Sequence, residues 1–261
     1  MKVAFVTHRG ATRPENQDAL CVAGRVRVGC MDSPETLELE GYPQMLAVID
    51  GMGGYAGGAL AAKIIAETFS EVVETPGLKN LFAPTLDIGE DEKAIRALLD
   101  SSERKMALCA ARDPEMAQMG AVVAGILLRE KSALAFNCGD CRVYRVSGGA
   151  AERLTREHSV VQAMYEKGEI DEDGMRTHPM KNIATSAVSP CNEDGFELYA
   201  RAVSRCRGDA FFICSDGVWE ALDSQRLASW LRDPAADARG LLGDLLSSGC
   251  SDNVSFIWQT G

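Results

Sequence analysis

The sequence predicts an α+β protein: a two-layered antiparallel sheet, a β-sandwich, with helices packed outside it. Three observations predict this. Apolar runs of strand length stand at both ends of the chain and in its middle. Helical stretches fall in pairs between the strand groups. No repeat, heptad run or clear linker divides the 261 residues, so the chain reads as one domain, 1–261.

The elements follow in order. Residues 2–7 alternate as a first strand. Residues 9–18, R-G-A-T-R-P-E-N-Q-D, form a polar loop turned by Pro14 and Asn16, and residues 19–28 form a strand. An acidic, turn-rich connection spans 32–41. Residues 46–54, L-A-V-I-D-G-M-G-G, are the stretch around which the rest is organised. Four apolar residues make a buried strand that ends on Asp50, and glycines then strip bulk from the backbone beyond the carboxylate. A helix over 55–74 follows, its start loosened by Gly57 and Gly58. Residues 75–89 read as an irregular loop. Residues 92–112 are helical, with Ile95, Leu98, Leu99, Met106 and Leu108 as the apolar positions, and Pro114 ends the helix.

Residues 120–128, 133–138 and 142–146 read as an antiparallel meander that turns at Gly139-Asp140, with a strand edge at 151–154. A short helix over 159–167 leads into a polar, mixed stretch, 168–190. That stretch is expected to leave the main fold as an excursion, a flap-like segment over about 160–190. Strands at 196–203 and 209–214, helices near 223–231 and 235–247, and a last strand at 254–259 complete the chain.

Net charge of −11 argues against nucleic acid or an anionic membrane surface as partner. Nine cysteines, an odd and scattered set, fit a reducing cytoplasm better than a disulfide framework. Cys138 and Cys141 form a C-x-x-C, but zinc or redox chemistry would need a second ligand pair or a helix N-terminus beneath the first thiol, and neither is evident. The start of the chain shows no signal peptide, and no apolar run is long enough to span a bilayer.

Three times an Asp stands beside Gly or Asn at the edge of an apolar strand: Asp50-Gly51, Asp216-Gly217 and Asp252-Asn253. Each alone is also ordinary turn chemistry. Three carboxylates converging at one rim would repel unless cations neutralised them, and an all-oxygen ligand set suits Mg²⁺ or Mn²⁺. Two such ions, roughly 3.5–4 Å apart, can activate water for in-line attack on phosphorus. Arg13 is either a solvated surface charge or a guanidinium fork for phosphoryl oxygens.

The chain resembles the metal-dependent serine/threonine protein phosphatases of the 2C type, and most of all their bacterial branch. The motifs run in family order over residues 13–18, 48–54, Met119-Gly120, 139–144, 154–159, 214–219 and 251–254. The D-G-M-G-G core and R-T-H-P-M-K-N, residues 176–182, are the bacterial touches. The resemblance implies a four-layer fold, a central β-sandwich flanked by pairs of α-helices, with a two-metal site for Mn²⁺ or Mg²⁺ at one end. It implies that Asp50 bridges both ions, that the Gly51 carbonyl binds one, and that Asp216 and Asp252 bind the other. Asp18 would orient the attacking water and Arg13 would bind substrate phosphate. Phosphorylated proteins, made by a serine/threonine kinase, are the expected substrates, and the chain is expected to act as a cytoplasmic monomer.

Several positions depart from the family pattern. Gln17 stands where many relatives have Glu, and Met52 where eukaryotic relatives have a His proposed as general acid. Ala121 and Val122 replace hydroxyl residues. Ala117 and Gln118 stand where an Asp often holds a third ion, leaving Glu220 as a remaining ligand for a weak third site or as an ordinary helix-start charge. Asp140 and Asn253 match the family and are expected to serve structure more than chemistry. Two other functions remain: a catalytically silent binding or regulatory module, and a hydrolase of small phosphate esters.

Overall fold

The computed structural model describes residues 1–74, 88–192, 194–233 and 235–261. Its described strands form two antiparallel six-stranded sheets. The first runs β4 (Glu35–Glu38), β1 (Lys2–His8), β12 (Val254–Thr260), β11 (Ala210–Cys214), β8 (Arg142–Ser147) and β9 (Ala150–Arg153). The second runs β10 (Tyr199–Ser204), β7 (Ser132–Cys138), β6 (Gly120–Leu128), β5 (Gln44–Met52), β2 (Ala19–Val22) and β3 (Arg25–Val28). Helices α1 (Tyr55–Glu74) and α2 (Ile88–Arg112) cover the second sheet. Helices α6 (Ser224–Arg232) and α7 (Ala238–Ser247) cover the first. The order helix, sheet, sheet, helix is the expected four-layer α+β sandwich.

Period-two alternation explains why the central strands are apolar throughout. On β5, Met45, Ala47 and Ile49 face α1 and α2, while Leu46 and Val48 face the other sheet. On β12, Phe256 and Trp258 face α6 and α7, while Ile257 faces inward. Each such strand feeds two cores at once. Each fully buried Leu, Ile or Phe contributes about 1.5–3 kcal/mol to holding the layers together.

The structure departs from the sequence expectations at identifiable places. Residues 19–28 are two strands, β2 and β3, paired antiparallel and joined through Ala23 and Gly24 at φ +50° and +83°. The apolar pattern runs on through this tight turn and hides it. The acidic connection at 32–41 contains the edge strand β4, which is polar because it is largely exposed. Leu108, expected on the apolar face, is 62% exposed. The short helix α5 (Asp216–Ala221) was not anticipated. The loop expected over 75–89 falls, apart from its last residues, outside the described residues; α2 begins at Ile88.

The expected meander also breaks. β6 and β7 pair, but β8 pairs with β11 and β9 in the opposite sheet. The chain changes sheet at Gly139, whose φ is +99° and where a Cβ would lie 2.2 Å from Val122 Cγ1. This crossing carries Asp140 to the rim between the sheets, where it lines the same cavity as Asp50.

Candidate metal centre

Antiparallel registers bring the acids together. Asp18 precedes Ala19, which pairs with Ile49, so Asp18 stands beside the end of β5 that carries Asp50. Asp216 follows β11 by one residue and Asp252 stands two residues before β12; these strands pair through Cys214 and Phe256. A cavity of about 230 Å³ opens at this rim, lined by Arg13, Gln17, Asp50, Gly51, Met52, Asp140, Asp216 and Asp252, with Asn182 and Ala184 from the excursion.

The acids are poorly solvated. Burial, then the charges of Asp18, Asp216, Asp140 and Asp252, push the Asp50 carboxyl well above its ordinary range. Burial, then Asp140, Asp252, Glu220 and Asp18, do the same to Asp216. Asp18 is pushed up to about 7, chiefly by burial, against hydrogen bonds from Ser255 and Ser215. Ser215 Oγ donates to Asp18 Oδ2 at 3.0 Å. Asp140 is also pushed up to about 7, by burial and then by Glu157.

These residues fit hard divalent cations. Asp18 Oδ1 and Asp216 Oδ1 are buried without a hydrogen-bond partner. No protein cation neutralises Asp50 in a direct ion pair among the described residues. Gly51 lets the start of α1 pack tightly against the end of β5: a Cβ there would lie 2.1 Å from the Gly58 carbonyl oxygen. Among the described residues no three His, Cys, Asp or Glu side chains lie close enough together to hold one ion.

One acid of the cavity, Asp252, and one acid near it, Glu220, are already paired. Arg13 Nη2 donates to Asp252 Oδ2 at 2.6 Å, so the expected phosphate ligand rests on an expected metal ligand. Glu220, considered above for a third ion, is paired with Lys181 of the excursion. Gln17 Nε2 donates to the Gly54 carbonyl at 2.9 Å. Asn253 is a fastener: it accepts from Gln17 N and donates to the carbonyls of Arg9 and Glu15, pinning the loop that carries Arg13.

Some placements differ from expectation or lay beyond it. Asp140, expected to be structural, lines the cavity, although its carbonyl does serve structure by accepting from Trp219 Nε1 at 3.2 Å. Asn182 and Lys181 enter the site's surroundings from the R-T-H-P-M-K-N stretch, whose sequence gives no sign of their targets. Cys138 and Cys141 are buried; burial raises the Cys138 thiol to about 12 and pushes Cys141 well up. Burial thus disfavours the thiolate that thiol exchange requires.

Comparison with known proteins adds a family. A model of the protein phosphatase 2C family matches residues 28–239. The serine/threonine phosphatase stp of Listeria monocytogenes is 26% identical over 238 residues, covering 90% of this chain and 91% of that one. Stp1 from Staphylococcus aureus, also a serine/threonine phosphatase, superposes with a TM-score of 0.82 at 22% identity, over 99% of this chain and 94% of that one. PstP of Mycobacterium tuberculosis is 23% identical over 98% of this chain, which spans 44% of PstP's length. A crystal structure of the PstP catalytic domain in complex with two manganese ions superposes with a TM-score of 0.73 at 22% identity, covering 99% of this chain and 98% of that one.

Proposed function

The chain belongs to the protein phosphatase 2C family, and from that premise we propose that it hydrolyses phosphoserine and phosphothreonine esters in proteins with the help of two divalent ions, Mn²⁺ or Mg²⁺. The observation that carries this is the gathering of acids at one rim: Asp50, Asp140, Asp216 and Asp252 line one cavity with Arg13, and the buried Asp18 stands beside the strand end that carries Asp50.

Asp50, the Gly51 carbonyl, Asp216 and Asp252 would hold the ions. Bound there, divalent ions supply Lewis-acid charge and lower the pKa of the attacking water. Arg13 would turn its guanidinium to the phosphoryl oxygens, positioning the ester for in-line attack. Asp18, with Oδ2 fixed by Ser215 and Oδ1 free of protein donors, would accept a hydrogen bond from the attacking water and orient it. Water attacks phosphorus and the serine or threonine oxygen leaves, with no covalent intermediate on the protein. Met52 cannot transfer a proton, so the leaving oxygen takes its proton from water or another group.

Burial of uncompensated acids in a shared cavity costs stability and has no evident purpose in a silent binding module, which supports catalysis over that alternative. Phosphoproteins made by a serine/threonine kinase are the substrate class we propose, with the chain acting as a monomer in the cytoplasm. Nine free thiols and a net charge of −11 support that setting. Among the described residues no helix is long and apolar enough to cross a membrane.

The deciding assay compares a phosphothreonine peptide with a small aryl phosphate, each with Mn²⁺ and with chelator. Peptide hydrolysis that needs the metal is expected. Full activity in chelator, with no metal retained on elemental analysis, would overturn the two-ion reading. Preference for the aryl ester by kcat/KM would favour a small-ester hydrolase.

A further inference from the structure

The excursion leaves the sandwich after Ser159 and returns at Thr185. Its neck is closed by backbone: Val160 N–H donates to the Ile183 carbonyl at 3.1 Å, and Thr185 N–H to the His158 carbonyl at 2.8 Å. Beyond α3 (Val160–Glu166), little apolar packing holds it. Among residues 167–184, Met175 in α4 (Glu172–Thr177) is the one buried side chain. Polar contacts must therefore decide where the segment sits.

From residue 167 to 183, the side-chain hydrogen bonds and ion pairs to the rest of the molecule among the described residues converge on α5 and the start of α6. Ser224 Oγ donates to Glu172 Oε1 at 2.8 Å. Arg176 Nη1 donates to the Glu220 carbonyl at 3.5 Å. Lys181 Nζ pairs with Glu220 Oε2. The Glu220 side chain is 8% exposed and Lys181 27%, and Glu220 Oε1 is buried without a hydrogen-bond partner. A carboxylate this deep, one turn along the helix from Asp216, needs a counter-charge, and the excursion supplies it. The residue after Lys181 is Asn182, which lines the acid-ringed cavity together with Ala184.

We propose that the Lys181–Glu220 pair is the latch that fixes the excursion against α5, and that Lys181 is thereby a positioning residue for how Asn182 meets the peptide around the phosphorylated side chain. The inference rests on the phosphatase reading above. A peptide running across the cavity mouth must pass Asn182 and Ala184. A small aryl ester needs only Arg13 and the acids beneath. The latch therefore acts on the peptide and largely spares the small ester.

The test uses K181M, E220Q, their double variant and K181R, each checked for an unchanged circular dichroism spectrum and assayed in saturating Mn²⁺. K181M and E220Q should each lower kcat/KM for a phosphothreonine peptide by about tenfold, mostly through KM, while the aryl phosphate loses less than about threefold. The double variant should be no worse than either single, and K181R should recover most of the loss. Backbone hydrogen exchange over residues 168–183, read without substrate or turnover, should quicken by at least about tenfold in K181M and E220Q. Equal losses on both substrates, additive losses in the double variant, or unchanged exchange over 168–183 would each overturn the latch. A wild-type protein that hydrolyses neither ester defeats the phosphatase reading instead, and the exchange experiment still decides whether the latch exists.

Discussion

Arg13 Nη2 donates to Asp252 Oδ2 at 2.6 Å, across 239 residues of sequence. Two expected site residues with opposite tasks are thus bound to each other. The pair is half-exposed, at 47% and 22% for the two side chains, so it is worth at most about 1 kcal/mol. An ion arriving at Asp252 can displace the guanidinium at little cost, which frees it for phosphate. Arg13→Ala should therefore raise KM for a phosphothreonine peptide by about tenfold or more. It should shift Mn²⁺ affinity by no more than about fivefold, and toward tighter binding. Calorimetric Mn²⁺ titration beside steady-state kinetics checks both, and weaker metal binding with unchanged KM would refute the assignment.

The Asp50 carboxyl is pressed by its neighbours, with four other aspartates raising its pKa after burial. Asp50→Asn keeps the shape and removes one repelling charge. Turnover should fall by on the order of 10³-fold or more if Asp50 is, as proposed, a ligand on which the metal site depends. The metal-free protein should melt higher, by roughly 2–4 °C per kcal/mol of relieved repulsion. Near-normal turnover in a sequence-verified sample, or a lower metal-free melting temperature, would count against this role.

Gly51 and Gly57 make a controlled pair. A Cβ at Gly51 would lie 2.1 Å from the Gly58 carbonyl oxygen and 2.7 Å from that of Gln17, both backbone atoms that cannot swing aside. A Cβ at Gly57, inside α1, would meet Met119 Cβ at an ordinary 3.4 Å. Gly51→Ala should cost about 2 kcal/mol or more and weaken Mn²⁺ binding, because β5 and α1 must part to admit the methyl group. Gly57→Ala should raise stability by about 0.5–1 kcal/mol and leave metal affinity alone. Denaturant melts of the two variants decide it, and equal midpoints would show that the close approach at Gly51 does not exist.

How far the sequence carries depends on whether a feature is local. Asp50, Asp216 and Asp252 were legible because each ends or begins an apolar strand, and antiparallel pairing then brings strand ends together without further information. The sheet change at Gly139 was not legible. Three apolar runs with short turns read as a meander, and nothing local says that β8 joins the other sheet and so brings Asp140 to the cavity. Lys181 and Glu220 lie 39 residues apart. Their pairing depends on how the excursion folds back, which no periodicity encodes. The hairpin at Ala23-Gly24 was missed for the opposite reason: a strong local pattern concealed the turn.

The last prediction concerns protons. In the metal-free protein Asp18 and Asp140 have carboxyls raised to about 7, against about 3.9 in an unfolded chain. Between those values the folded protein holds protons that the unfolded chain has lost. Stability therefore falls as pH rises through that window, and the penalty is complete above about pH 7 and absent below about pH 4. Metal binding runs the other way, because charged carboxylates are the ligands and their protons must leave. The metal-free protein should melt several degrees higher at about pH 5.5 than at about pH 7.5. Saturating Mn²⁺ should raise the melting temperature more at the higher pH. Titration of Mn²⁺ near pH 7 in two buffers of different ionisation heat should show at least about one proton released per protein. A metal-free melting temperature that does not change with pH, or a binding heat independent of buffer, would mean that these acids are already ionised and that something other than a cation compensates them.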